Sequence, residues 1–275
     1  YGNPNLGNVE ITFLPDKAVL TIRSDRGKFT DNLSENMESQ AAALDVSAGW
    51  HPIVTQNSPA GRYTHGLVYD AHRNIAVLFG GDSPTVSPRA NDTWEFNGTN
   101  WTQVTPTQAP PGRVNIDQAL VYDSVRMRTL LFGGLGTSGY LNDTWEYDGT
   151  TWTQIIGQSP QMRDAHAMVF DNQRSVTVLF GGYSSSGTRL NDTWEYGGTW
   201  QQIIPPQAPE GRYQHAMAYD ARRNRVVLFG GLNSNHTTLS DTWEYDGTTW
   251  HAITPTQSPP ARNNYSMAYD GNRGV

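Results

Sequence analysis

Two acidic positions recur along this chain at a fixed spacing, and paired acids can carry out proton-transfer chemistry. Asp92, Asp143, Asp192 and Asp241 are each followed three residues later by Glu95, Glu146, Glu195 and Glu244. A carboxylic acid facing a carboxylate across a glycosidic bond would be a glycosidase pair. Each pair here sits in the phrase Asp-Thr-Trp-Glu-aromatic, which reads as a strand, and a three-residue offset on a strand sends the two side chains to opposite faces. The acids also recur identically, whereas an active site needs one asymmetric constellation. A recurring arginine at Arg62, Arg113, Arg163, Arg212 and Arg262 offers another partner. Charge-assisted hydrogen bonds from these guanidiniums to the Asp or the Glu would tie neighbouring repeats together.

Histidine is the next residue type that could do chemistry. His65, His166 and His215 fall at one repeat position, where Ile116 and Tyr265 stand in the other copies. Three converging imidazoles could hold a transition metal; spread around a symmetric scaffold, each would instead pack between repeats against backbone or an aromatic ring. The second arrangement is expected, with no metal and no cofactor. Nucleophilic hydrolase signatures, phosphate-binding glycine loops and zinc-protease motifs are absent.

The 275 residues include no cysteine, so neither a disulfide framework nor thiol chemistry is available. A formal net charge of -7 argues against a nucleic-acid backbone or an anionic membrane surface as partner. No apolar run approaches the roughly 18 residues needed to cross a bilayer. The chain has neither an initiator methionine nor an apolar leader, which reads as a processed protein or a fragment. Zero cysteine fits a bacterial protein working outside the cell or at its surface, and that location is the expectation. Only 16% of residues are charged, and the polarity comes from Asn, Gln, Ser, Thr and Gly beside 9 Trp and 13 Tyr. Such a composition suits a turn-rich β protein with an aromatic core.

The elements that must position these residues repeat with a period of about 50 residues. The closing Trp of each unit falls at Trp50, Trp101, Trp152, Trp200 and Trp250, in step with the arginines. The fourth unit predicts four strands. His215–Tyr219 alternates large and small side chains, and Asp220 starts a turn. Val226–Phe229 is continuously apolar and should be buried on both faces, ending at Gly230-Gly231. Asp241–Tyr245 puts Trp243 and Tyr245 on one face, and an Asp246-Gly247 turn leads into a fourth strand near Trp250.

The double glycine after an apolar strand, the mid-unit Asp-Thr-Trp and the closing Trp resemble the kelch family from about residue 50 to the end. WD40 units have a similar period but end in Trp-Asp. The resemblance implies an all-β, kelch-type β-propeller of four-stranded antiparallel blades. It implies an innermost first strand, which puts His65, His166 and His215 at one mouth of the central channel. Galactose oxidase, a kelch-type enzyme, needs a Tyr-Cys cofactor, and this chain has no Cys to build it. The Asp-Gly turns resemble sialidase Asp boxes but lack the residue between Asp and Gly.

Residues 50–275 are expected to hold four complete repeats flanked by partial blades. Residues 50–61 read as the last strand and link of an earlier blade, and the segment from Arg262 begins another. Residues 1–49 read as a hairpin over Asn8–Arg23 followed by a segment with one short helix, completing a blade or belonging to a preceding region. A five-bladed closure and a piece of a six- or seven-bladed propeller both remain open; ending inside a strand favours the second.

Between second and third strands the copies diverge while their flanks hardly change. A framework needs uniformity, and a binding surface on a symmetric scaffold needs its loops to differ. Arg89, Tyr140, Tyr183, Arg189, Asn233 and His236 are therefore the candidate contacts. The leading expectation is a non-catalytic binding or scaffolding module taking a protein or glycan ligand on this loop face, with further domains of the same protein as possible neighbours. A carbohydrate-active or lectin-like domain and a structural component of a surface assembly are the alternatives.

Overall fold

The computed structural model describes residues 9–14, 17–22, 52–84 and 89–274, and all its regular structure is strand. Four blades follow one another, each a four-stranded antiparallel sheet in chain order. Blade 1 comprises Gly66–Asp70, Ile75–Phe79, Thr93–Phe96 and Trp101–Val104. Blade 2 comprises Leu120–Asp123, Arg128–Phe132, Thr144–Tyr147 and Trp152–Ile155. Blade 3 comprises Ala167–Asp171, Val176–Phe180, Thr193–Tyr196 and Trp200–Ile203. Blade 4 comprises Ala216–Asp220, Arg225–Phe229, Thr242–Tyr245 and Trp250–Ile253.

The first strands of successive blades lie side by side, so they line a common axis and the sheets radiate from it as in a propeller. Backbone bonds link them near that axis: Ala165 N–H donates to Asn115 O at 3.2 Å, Gln214 to Ala165 at 2.9 Å and Asn264 to Gln214 at 2.9 Å. The donors and acceptors belong to residues with positive φ, Asn115, Ala165, Gln214 and Asn264, which turns their amides along the circumference rather than into their own sheets.

Aromatic side chains fill the gaps between blades. Trp145, Tyr147 and Trp152 of blade 2 pack with Val77 and Phe79 of blade 1. Phe79–Trp152, Phe132–Trp200 and Phe180–Trp250 repeat one contact across three interfaces, with ring centroids 5.2, 5.1 and 5.0 Å apart. Each such ring buries a large apolar area and adds about 0.5–1.5 kcal/mol through its geometry.

The flanks differ from expectation. Residues 52–61 form no strand, although Ile53 packs against the blade 1 cluster of Trp94 and Trp101. The fifth copy, from Arg262, forms no strand either, because a first strand here is laddered by the second strand of its own blade. Its turn nonetheless forms, with Asp270 Oδ1 accepting from Asn272 and Arg273 N–H. Val9–Leu14 and Lys17–Ile22 pair as the expected hairpin, in a two-stranded sheet. Trp50 and the expected short helix lie outside the described residues.

Candidate functional site

The repeated acids and arginines belong to the framework. Arg113 is fully buried and grips Asp143 with two bonds, Nη1 to Oδ1 at 2.7 Å and Nη2 to Oδ2 at 2.8 Å. It also donates to Gly133 O at 2.8 Å and Pro111 O at 3.0 Å. Arg62–Asp92, Arg163–Asp192 and Arg212–Asp241 copy this arrangement. Burial alone would raise the four aspartates, but the guanidiniums outweigh it and hold them below the ordinary carboxylate value.

Two details correct the sequence expectation. The side-chain pair lies within one repeat, and the arginine reaches the preceding blade through its backbone. Arg163 N–H donates to Leu141 O at 3.0 Å, and Arg163 O accepts from Gly134 N–H at 2.9 Å. The glutamates pair with neither that arginine nor that face. Glu95, Glu195 and Glu244 meet a second series, Arg73, Arg174 and Arg223, each held by an aspartate three residues before it. Glu95, Glu146 and Glu195 also accept from Tyr147, Tyr196 and Tyr245 of the next blade. Arg262 has no acidic partner among the described residues and donates to Pro260 O at 3.1 Å. The second arginine series was readable in the sequence as Asp-x-x-Arg closing every first strand.

His166 and His215 are buried, edge-on to Phe132 and Phe180 at 5.5 and 5.7 Å, so they pack between blades. Burial, then the nearby arginine charge, lowers His65 to about 4 and His215 to about 3, and His166 falls well below its ordinary value. All three are neutral at pH 7. Among the described residues no group of three or more His, Asp or Glu is placed to hold a metal ion.

The variable loops gather on one face. Tyr140, Tyr183 and Tyr213 form a run across blades 2 to 4, with centroids 6.1 and 5.4 Å apart. Arg189 lies over Tyr183 and Tyr213, its Cζ 4.9 and 5.6 Å from the ring centres, and it donates to Nε2 of His236 at 2.8 Å. Four of the six expected contacts therefore converge, joined by Tyr213, which hid in a segment assigned to the framework. Arg89 stands apart and donates to Gly136 O at 2.6 Å. Asn233 is mostly buried; its Oδ1 accepts from Asn235 and Thr237 N–H, so it shapes its own loop instead of facing a ligand.

On the same face, a small cavity of about 20 Å³ opens at the channel mouth, lined by polar residues including Asn115, Asp117, Gln118, Gln214 and Asn264, with His166 and His215 in its wall. Asp117 and Gln118 belong to no repeat. Ten residues separate Arg113 from Asp123, against eight from Arg62 to Asp70 and from Arg163 to Asp171. That two-residue insertion was the signal for a site the repeat comparison missed. Among the described residues one carboxylate, Asp117, lines this cavity.

The KLHDC2/KLHL20/DRC7 Kelch-repeats domain family matches residues 31–205. No curated protein matches the chain. With its repeated blades, Gly-Gly strand ends and buried Arg–Asp clamps, the chain belongs to the kelch-repeat family and folds as an all-β, kelch-type β-propeller.

Proposed function

We propose that the chain is a binding module whose protein partner docks on the face carrying the variable loops, and that it acts as a scaffold without catalysing a reaction. The run of Tyr140, Tyr183 and Tyr213 under Arg189 supports this most strongly. Tyr and Arg are the side chains that concentrate binding energy at protein interfaces, and here they occupy loops that the symmetric framework leaves free to differ. Kelch-repeat domains generally mediate protein–protein interactions, which agrees. The compartment we propose, outside the cell or at its surface, rests on composition alone.

The test is a double variant, Tyr183→Ala with Arg189→Ala, measured for binding to candidate partner proteins by surface plasmon resonance. Binding should weaken by about a hundredfold, as for a pair of hot-spot residues, while Ile156→Ala on an exposed strand end leaves it unchanged. A partner that binds the double variant like the original chain would overturn the reading. A glycan-array signal lost in the same variant would move it to a lectin.

A further inference from the structure

We propose that the channel mouth is a site for one cationic hydrogen-bond donor, an alkylammonium or guanidinium group, held by the Asp117 carboxylate and the carboxamides of Asn115, Gln118, Gln214 and Asn264. It rests on the protein-binding reading only for the source of the cation, a Lys or Arg side chain of the partner as against a free amine.

The carboxylate is placed there by an insertion that the blade architecture does not require. Ala119 N–H donates to Ile116 O at 3.0 Å, closing a turn over Asp117 and Gln118, and Gln118 O accepts from Met168 N–H of blade 3 at 2.8 Å. The turn is thus anchored at both ends while its side chains line the cavity. Charge balance sets Asp117 apart from the framework acids. The Asp-Thr-Trp aspartates of all four blades are clamped by arginine, but no Lys, Arg or His forms an ion pair with Asp117 among the described residues. Asp117 is exposed to solvent at the mouth, and neighbouring protein takes only part of its hydration, which pushes it up to about 6. At pH 7 it is an ionised group at the mouth with no counter-ion among the described residues, and an entering cation supplies one.

The wall adds a second observation. Both ring nitrogens of buried His166 lack a hydrogen-bond partner, although buried polar atoms are almost always satisfied. A neutral imidazole and four carboxamides offer acceptors for the several N–H groups of one ammonium or guanidinium. No Lys or Arg lines the cavity, so an anion would find no charge to meet. The mouth also adjoins the tyrosine run: Asn115 Nδ2 donates to Asp164 Oδ2 at 2.6 Å, and Asp164 pairs with Tyr183 in a short ladder.

The experiment titrates the chain with n-butylammonium and N-methylguanidinium chlorides, and with butan-1-ol as the neutral control, at constant ionic strength. The side-chain amide NMR signals of Gln118, Gln214 and Asn264 are the readout. Both cations should shift these signals saturably and the alcohol should not. Asp117→Asn, whose amide pattern shows whether it is folded, should bind about tenfold more weakly or not at all. Equal binding by the alcohol, equal binding to folded Asp117→Asn, or shifts elsewhere in the spectrum would overturn the proposal; if Asp117→Asn does not fold, the first and third of these outcomes decide it. A blocked lysine peptide that binds with the loop-face variant's sensitivity identifies a partner side chain as the source; free amines binding without it leave a small-molecule site. Partner binding lost in Tyr183→Ala with Arg189→Ala while the amines never bind would sink this inference alone.

Discussion

A buried guanidinium and an exposed one differ in consequence, although both pair with acids here. Arg163 is fully buried and satisfies Asp192, Gly181 O and Gln161 O together. Arg163→Met would leave Asp192 an uncompensated buried charge and should cost about 3–5 kcal/mol. Arg223 is half exposed, and Arg223→Met should cost no more than about 1 kcal/mol. Urea unfolding of the two variants reads that contrast. The histidines give a pH signature of definite sign. Their folded values lie below the ordinary 6.5, so their contribution is complete above pH 6.5 and is lost as pH falls toward about 4 for His65 and about 3 for His215. Asp117 works the other way between pH 6 and 4, because its folded value is raised, and offsets part of the loss. The clamped aspartates add their own loss only below their ordinary 3.8. Unfolding midpoints should therefore fall between pH 6.5 and 4, and His215→Tyr, which copies Tyr265 at the equivalent position, should flatten the fall.

At the scale of the element, a strand end and a turn account for most of the invariant small residues. Gly182 has φ 104°, and a Cβ there would meet Asp164 O and His166 Cβ at 2.8 Å. Gly182→Ala should destabilise by about 2–3 kcal/mol, since backbone strain and a clash with main-chain oxygen add. Gly61→Ala, with open space around it, should be near neutral. Thermal unfolding of both checks this. The blade strands were legible in the sequence because alternation, Gly-Gly and Asp-Gly are local signals; the fourth unit's strands fall within a residue of their expected bounds. The partners of side chains were not. Nothing local tells that Asp143 meets Arg113 whereas Glu146 meets Tyr196, for Asp143 stands immediately before the strand that carries Glu146. Nor could the loop sequences show that Tyr213 completes an aromatic run begun two blades earlier, or that Asn233 turns inward. Asp117 was legible as an insertion, but only once the repeats were counted residue by residue.

Across the whole molecule, each interface repeats one set of bonds in one direction. Trp152, Trp200 and Trp250 donate from Nε1 to Thr93, Thr144 and Thr193 of the blade before. The tyrosine that ends the third strand of blades 2, 3 and 4 likewise donates back to a glutamate. Trp200→Phe with Thr144→Ala should show a coupling of about 1 kcal/mol in a double-mutant cycle, measured by denaturant unfolding; additive single effects would mean the bond contributes nothing. Blades 2 and 3 each therefore have a donating side and an accepting side, like identical plugs and sockets in a row. Two blades cannot meet face to face about a dyad, because like groups would oppose each other. A duplicated unit inserted between any two neighbours would find both of its sides already matched, so the number of blades can change in evolution without redesigning a single interface.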